Sequence, residues 1–176
     1  MRLHLRLWLV AVGCAVALTA LASALPDRFA RSTIDVGLCV SDVERSARFY
    51  TEAIGFTEAP GFEVSPSVGA GAGLTDNRGF RVRVFVLKDE PTATRLKLIQ
   101  FAGARPKRVD NRYVESSLGM RYLTILVTDM TEAVERARRA GATPLAKGPY
   151  ALGGGSYLTL LRDPDGNLVE LVGPAQ

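Results

Sequence analysis

The chain has 176 residues, a formal net charge of +4 and a single histidine, His4. This mild basicity argues against a dedicated nucleic-acid-binding domain, because such a domain carries a clustered basic face. Roughly 150 residues follow the apolar N-terminal segment, a length that suits one compact domain with a hydrophobic core. The lack of histidine beyond residue 4 also argues against nucleophilic hydrolysis, since the usual base for a serine or cysteine is missing.

The N-terminal residues have the composition of a targeting segment. A short basic region precedes an uncharged run, residues 7–25, and this region contains Arg2, His4 and Arg6. Small residues at Ala22–Ala24 suit a signal peptidase, and Pro26 ends any helix. We expect residues 1–24 to be a cleaved signal and the protein to be periplasmic or extracellular. Two alternatives stay open: an uncleaved anchor, since a bilayer span needs roughly 20 residues, and a lipoprotein attached at Cys14.

The remaining sequence contains an internal repeat. A β-rich run, residues 33–42, precedes a helical pattern at 43–53; a second run, residues 121–129, precedes a helical pattern at 130–140. In both copies an aspartate stands at the junction, where its carboxylate can accept hydrogen bonds from the first N–H groups of the helix. These residues are Asp42 and Asp129. A glycine follows each helical pattern, as helix C-termini prefer.

Three further strands are predicted after each helix. They cover residues 56–64, 80–87 and 94–101 in the first half, and 143–146, 156–162 and 168–172 in the second. Residues 66–79 are predicted to be a glycine-rich flexible loop, and Gly153–Gly155 a hairpin or a lid. Asp163–Asn167 has the composition of a tight turn. The linker between the halves, residues 102–119, contains basic side chains that we expect to be solvated.

Two consecutive βαβββ units resemble the vicinal oxygen chelate superfamily, which includes glyoxalase I, extradiol dioxygenases and bleomycin resistance proteins. The motifs that carry the resemblance are Val40–Asp42 through Arg48–Tyr50, and Asp163–Asn167 through Glu170–Leu171. The resemblance implies an α+β fold in which two sheets pair into a cup around one site, with helices on the outside. We place this domain at residues 30–176, with units at about 33–101 and 120–174.

The resemblance also implies four metal-ligand positions. The superfamily commonly has a histidine seven residues before each junction aspartate and a glutamate or histidine on each last strand. Here these places hold Asp35, Tyr122, Lys97 and Glu170. A protonated lysine has no lone pair to offer a metal, and its charge repels a divalent ion. The sequence therefore predicts a degenerate site without a metal or other cofactor.

Two classes of function follow for such a site. In the first, the cup binds a small organic molecule, and strand alternation gives its candidate lining as Asp35, Cys39, Arg83, Phe85, Ile99, Thr124 and Tyr157. In the second, Glu170, Lys97 and Tyr122 are catalytic groups of a metal-independent lyase or isomerase, or one with an atypical metal, acting next to a carbonyl.

Less specific interpretations stay open beside these two. Lys97 and its carboxylate neighbours could form a structural ion pair, which need not stabilise the fold once its desolvation is counted. Cys39 is either a small buried core residue or, if exposed and of lowered pKa, an activated thiol. A degenerate copy could instead serve protein interaction. We expect membrane contact only through an uncleaved N-terminal segment, no nucleic-acid partner, and leave a homodimer open.

Overall fold

The computed structural model describes residues 28–176. The folded domain comprises Thr33–Gln176. The predicted signal, residues 1–24, lies outside the described residues. Within the part that is described, no helix is both long enough and apolar enough to cross a bilayer.

The first unit begins with strand β1 (Val36–Cys39) and helix α1 (Val43–Arg48), which continues as a π-helical segment, Phe49–Ile54. The Asp42 carboxylate accepts a hydrogen bond from the Arg45 N–H at 2.9 Å, as its place at the junction predicts. The π-helical segment ends at Gly55, whose φ of 96° is accessible to glycine at little cost. Strand β2 (Thr57–Val64), helix α2 (Pro66–Gly71) and strands β3 (Phe80–Val86) and β4 (Arg95–Ile99) complete the unit.

The second unit repeats the order of one strand, one helix and three strands. A 3₁₀ turn, Val114–Ser116, precedes β5 (Tyr122–Leu126) and α3 (Met130–Arg139). The carboxylate of Asp129 accepts hydrogen bonds from the N–H groups of Thr131 and Glu132. Strands β6 (Tyr150–Gly153), β7 (Ser156–Arg162) and β8 (Leu168–Pro174) follow. Gly154 and Gly155 form the turn of the β6–β7 hairpin, between the paired residues Gly153 and Ser156.

Each unit contains a four-stranded mixed sheet with the same topology. The strand orders are β1-β4-β3-β2 and β5-β8-β7-β6, with one parallel pair in each. Gly37 lies opposite Lys97 in the first sheet, and Thr124 lies opposite Glu170 in the second. The two halves therefore share strand register as well as strand order, and Lys97 and Glu170 occupy matching positions.

The helices and one face of each sheet form a common core. The apolar residues of β1 and β4 pack there with those of β5 and β8, together with the buried faces of α1 and α3. Fully or almost fully buried members include Tyr50, Phe85, Leu98, Met130, Leu161 and Leu171. Because apolar burial stabilises a fold roughly in proportion to area, this shared core holds both units together.

Polar contacts also join the units. The Arg136 guanidinium of α3 donates hydrogen bonds to the carbonyl oxygens of Ala53 and Ile54, at 3.4 and 2.7 Å. These carbonyls belong to the last turn of the first helix, where no intrahelical donor remains. Arg136 therefore satisfies the helix end of the other unit.

The predicted strand at residues 143–146 is wrong. One backbone hydrogen bond, from the Leu145 N–H to the Leu160 carbonyl, connects this segment to β7. Pro144 has no N–H to donate, and Ala146 has a φ of 52°, outside the extended region. The fourth strand of the sheet is instead β6, which begins only at Tyr150.

Two smaller expectations also need correction. Helix α2 lies within the segment predicted to be a flexible loop, where the Ser65 hydroxyl caps it by accepting from the Val68 N–H. The apolar alternation of the first β-rich run also predicts that Ile34 packs under the helix with Val36, but Ile34 is 69% exposed because β1 begins only at Val36.

Candidate functional site

We use the term cup face for the side of each sheet opposite its helix-covered side. In the first unit it carries Gly37 and Cys39 of β1, Lys97 and Ile99 of β4, and Val82 and Val84 of β3, as strand register requires. In the second unit it carries Tyr122, Thr124 and Leu126 of β5, Glu170 and Val172 of β8, and Leu158 and Leu160 of β7. Both faces are thus mainly apolar with few charges.

An ion pair lies on the cup face of the first unit. Lys97 Nζ and Asp35 Oδ2 are 2.8 Å apart, and the two side chains are 28% and 19% exposed. The Lys97 ammonium also stands 6.0 Å from the centre of the Phe62 ring, within cation–π range. Because a partly buried charge requires compensation, this pairing holds Lys97 in place beside an aromatic surface.

The cup face of the second unit carries a carboxylate instead. The Thr124 hydroxyl donates a hydrogen bond to Glu170 Oε1 at 2.8 Å. Tyr122 lies two residues before Thr124 on the same face and is 48% exposed. Across residues 28–176, no hydrogen bond or ion pair joins Lys97 to Glu170. The three predicted catalytic groups therefore lie on the cup faces of the two sheets, but they do not form one hydrogen-bonded cluster.

Arg83 and Phe85 do not line the cup, and this prediction is wrong. On β3 they lie opposite Leu98 and Leu96, whose side chains belong to the core. Phe85 is fully buried in that core. Because neighbouring side chains alternate between the faces of a sheet, Val82 and Val84 occupy the cup face instead.

Arg83 has a structural role on the helix side. Its guanidinium binds both oxygens of Glu58 at 2.7 Å and lies 2.8 Å from a carboxylate oxygen of Glu44 on α1. The hydrogen bonds between Arg83 and Glu58 lower the pKa of Glu58 and raise the pKa of Arg83. This bidentate pair joins β2 to β3, and the contact with Glu44 joins both strands to the first helix.

Tyr157 is also on the wrong face for the cup. It lies opposite Gly173 on β7 and packs, partly buried, against the core. Leu158 and Leu160 take the cup face of this strand, since Leu160 lies opposite Glu170. Ile99 and Thr124, in contrast, lie on the cup face, and their role in binding stays a prediction.

Cys39 lies on the cup face at the end of β1 and is exposed, so the buried-core interpretation is wrong. Partial burial and, to a smaller extent, the charge of Asp165 raise the pKa of the Cys39 thiol. A reactive cysteine needs a lowered pKa. The structure therefore gives no support for an activated thiol.

Phe62 is a neighbour of Lys97 that sequence reasoning missed. Its position depends on an irregularity in the pairing of β2 with β3, between Ala59 and Phe62, which changes the residues that face Lys97. Such a bulge shifts the alternation of side chains along a strand. The nearby Gly61 is the available signal, because a Cβ there would lie 2.2 Å from the carbonyl oxygen of Val82.

Two clefts lie at the ends of the sheets. The larger, about 460 Å³, is bounded by the end of β1, by the chain after β4 and by the β7–β8 turn. We call it the linker cleft. The smaller, about 410 Å³, lies between the β3–β4 turn and the junction of β5 with α3. Neither contains Lys97, Glu170 or Tyr122 in its wall.

Solved structures with a similar fold come from bacteria, plants and protozoa. A glyoxalase family protein from Bacillus cereus aligns with a TM-score of 0.70 and 20% identity, covering 86% of this chain and 98% of the other. Glyoxalase I from Zea mays aligns with a TM-score of 0.61 and 18% identity, covering 82% of this chain and 45% of that longer one. At these identities the likeness concerns the fold alone.

A trypanothione-dependent glyoxalase I from Leishmania major aligns with a TM-score of 0.57 and 22% identity, over 81% of this chain and 86% of that one. A comparison with curated proteins found no match. The family model for the glyoxalase, bleomycin resistance protein and dioxygenase superfamily matches residues 32–171. These findings confirm the two tandem βαβββ units, and the chain belongs to the Glyoxalase/Bleomycin resistance protein/Dioxygenase superfamily.

Proposed function

We propose that this protein is an exported domain that binds a small organic molecule on its cup face without a metal ion. The observation that carries the proposal is the ion pair of Lys97 with Asp35, at the position that matches Glu170 in the other unit. The N-terminal sequence supports export, because its basic start and apolar run are those of a secretory signal.

The donor set on the cup face does not fit a metal. Lys97 holds an ammonium 2.8 Å from Asp35, the nearest carboxylate, so a divalent ion bound there would meet direct repulsion. Among residues 28–176 there is no group of three or more His, Cys, Asp or Glu side chains arranged to hold one. Lys97 instead supplies a fixed positive charge on a mainly apolar surface.

The surroundings of Lys97 favour an organic ligand. The Phe62 ring, which is 48% exposed, lies 6.0 Å from its ammonium, and the partly exposed Ile99 lies two residues along β4 on the same face. Small-molecule sites commonly combine apolar walls with a small number of fixed polar groups. A ligand with an apolar body and a polar group directed at the Lys97–Asp35 pair fits this surface.

The proposal is tested by incubating the full chain with a metabolite extract, isolating it, and identifying retained molecules by mass spectrometry. We expect a molecule to be retained unchanged, and Lys97→Met to lower its affinity about tenfold, the effect of one charged contact. The control is Lys88→Met, at an exposed lysine. The double variant Asp35→Asn/Lys97→Met removes both charges, so a folding defect caused by losing one charge of the pair is separated from a binding defect.

Three results would contradict this function. Stoichiometric binding of zinc, manganese, nickel or iron(II), seen as a raised melting temperature and abolished by Glu170→Ala, would indicate a metalloprotein. Turnover of the retained molecule, lost in Glu170→Gln, would favour the alternative lyase or isomerase acting next to a carbonyl. Undiminished retention by both Lys97 variants would remove Lys97 from the site.

A further inference from the structure

The linker cleft combines an apolar floor with a basic wall. Its apolar lining includes Val40, Phe101, Pro106 and Val109. Its volume of about 460 Å³ lies within the usual range of small-molecule sites, about 300–1,000 Å³. This shape matches a ligand with an apolar body.

Three cations line the cleft against one carboxylate. Arg105, Lys107 and Arg108 come from the linker, and Asp165 comes from the β7–β8 turn. Asp165 already accepts hydrogen bonds from the N–H and hydroxyl of Ser41, and Arg108 lies 3.4 Å from it. Within residues 28–176, Arg105 and Lys107 have no ion-pair partner. The cleft therefore keeps an excess of positive charge.

The linker is anchored to the second unit just after the basic wall. Arg162 donates hydrogen bonds to the carbonyl oxygens of Asn111 and Arg112, at 2.7 and 3.0 Å. The side chain of Asn111 donates to Asn167 Oδ1 at 3.3 Å. This anchor limits the conformational freedom of the segment that carries the basic residues, which reduces the entropy lost when a ligand binds.

We propose that the linker cleft is a second binding site, for a small organic anion with an apolar body. A carboxylate, sulfonate or phosphate of the ligand pairs with Arg105 and Lys107, and its body covers the apolar floor. A concave basic wall concentrates anions more than the same charges on a flat surface. The site goes beyond the function proposed above, because Lys97, Glu170 and Tyr122 do not line it; Cys39, at the end of β1, is shared by the cleft and the cup face.

The test uses two fluorescent probes that differ in one anionic group, 8-anilinonaphthalene-1-sulfonate and the neutral N-phenyl-1-naphthylamine. We expect the full chain to bind the sulfonate at least about tenfold more tightly than the neutral probe. Arg105→Glu/Lys107→Glu should remove this preference. The matched control, Arg138→Glu/Lys147→Glu, changes the net charge equally at exposed residues outside the cleft and should keep it.

Cys39 reports the location of the probe, because its side chain is part of the cleft wall. Alkylation by iodoacetamide is followed by peptide mapping, which separates Cys39 from Cys14. Saturating sulfonate probe should slow Cys39 alkylation several-fold in the wild type and in the control variant. The milder Arg105→Gln/Lys107→Gln tests the same point if the charge reversal prevents folding. Equal affinities for both probes, or no protection of Cys39, would overturn the proposal, as would sulfonate binding lost in Lys97→Met and kept in Arg105→Glu/Lys107→Glu.

Discussion

The two units match in strand register but differ in the turns that join their last two strands. In the second unit the β7–β8 turn docks onto the first unit: Asp165 binds Ser41, Asp163 accepts from the Tyr50 hydroxyl, and Arg45 donates to the Pro164 carbonyl. In the first unit the longer β3–β4 turn leaves a cleft of about 410 Å³ at the corresponding junction. The repeat thus preserves its sheets, whereas only one turn secures the interface.

The helix-facing side of the sheets shows a second difference. Arg83 and Thr159 occupy matching places, because they lie opposite Leu98 and Leu171. Arg83 reaches carboxylates on β2 and α1 and keeps its charge partly exposed. Thr159 is fully buried, and its hydroxyl has no hydrogen-bond partner within residues 28–176. Equivalent positions therefore serve packing in one unit and ion pairing in the other.

The largest expected effect comes from breaking the docked turn with Asp163→Ala. The carboxylate of Asp163 is buried and accepts hydrogen bonds from Tyr50, from the Asp165 N–H and from the N–H and side chain of Asn167. Losing it leaves a buried hydroxyl and two turn N–H groups without an acceptor. We expect the free energy of unfolding to fall by about 3 kcal/mol, measured by urea denaturation.

Asp89→Ala is the matched control for this change. Asp89 lies in the corresponding turn of the first unit and is exposed. We expect it to alter the free energy of unfolding by less than about 0.5 kcal/mol. Equal losses for the two variants would mean that the docked turn has no special role.

A smaller effect is expected from Tyr50→Phe, which keeps the ring and removes the hydroxyl that donates to Asp163 at 3.0 Å. Asp163 retains its other donors, so the loss should be about 1–1.5 kcal/mol at neutral pH. Burial, and then the charge of Asp163 and its hydrogen bond, raise the pKa of Tyr50 well above its ordinary value of 10.0.

This raised pKa determines how the difference in stability between wild type and Tyr50→Phe depends on pH. Above pH 10.0 a tyrosine of the unfolded chain loses its proton while Tyr50 in the folded chain keeps it, so the unfolded state gains stability. The stabilisation by Tyr50 is complete below the unfolded pKa and is lost as the pH rises towards its folded value. The difference in the free energy of unfolding between wild type and Tyr50→Phe should therefore become smaller as urea denaturation is repeated at increasingly alkaline pH. A difference that does not change with pH would contradict the buried Tyr50 hydroxyl as a hydrogen-bond donor.

A smaller loss again is expected from Arg83→Leu. Its partners Glu58 and Glu44 are substantially exposed, so water screens the pairing and the loss should be about 1 kcal/mol. The lowered pKa of Glu58 contributes stability above the unfolded value, and this is lost as the pH falls through the folded value. The free energy of unfolding of the variant should thus approach that of wild type in acid.

At the matching position in the second unit, Thr159→Val should be neutral or stabilising, because an unpaired buried hydroxyl is removed.

Much of the fold could be predicted because local signals agree with it. The junction aspartates cap both helices, and the apolar alternation of β1 and β5 identifies their buried sides. On β3, however, Arg83 and Phe85 lie on the same face of the strand, although one is charged and the other is apolar. The local sequence therefore does not indicate that this face is the one covered by the helix. The local sequence also did not predict that the segment around Pro144 and Ala146 is not a strand. The fourth strand of this sheet is β6, which begins only at Tyr150, and its position depends on tertiary contacts.

The site was less predictable than the fold. The ion pair of Lys97 with Asp35 follows from aligning the two halves, because strand register carries both residues to the cup face. Phe62 and the linker cleft do not follow, since a bulge and the path of an irregular linker depend on contacts between residues far apart in the chain. Side chains in regular strands were thus easier to place than those in irregular segments.

The hydrogen bonds from Arg136 to Ala53 and Ile54 bear on how the molecule unfolds. They make the last carbonyls of one helix depend on a side chain that is 83 and 82 residues away in sequence. A polypeptide containing only the first unit would leave those carbonyls and the Tyr50 hydroxyl without their partners. We therefore expect the repeated halves to unfold as one cooperative unit rather than as two separate domains.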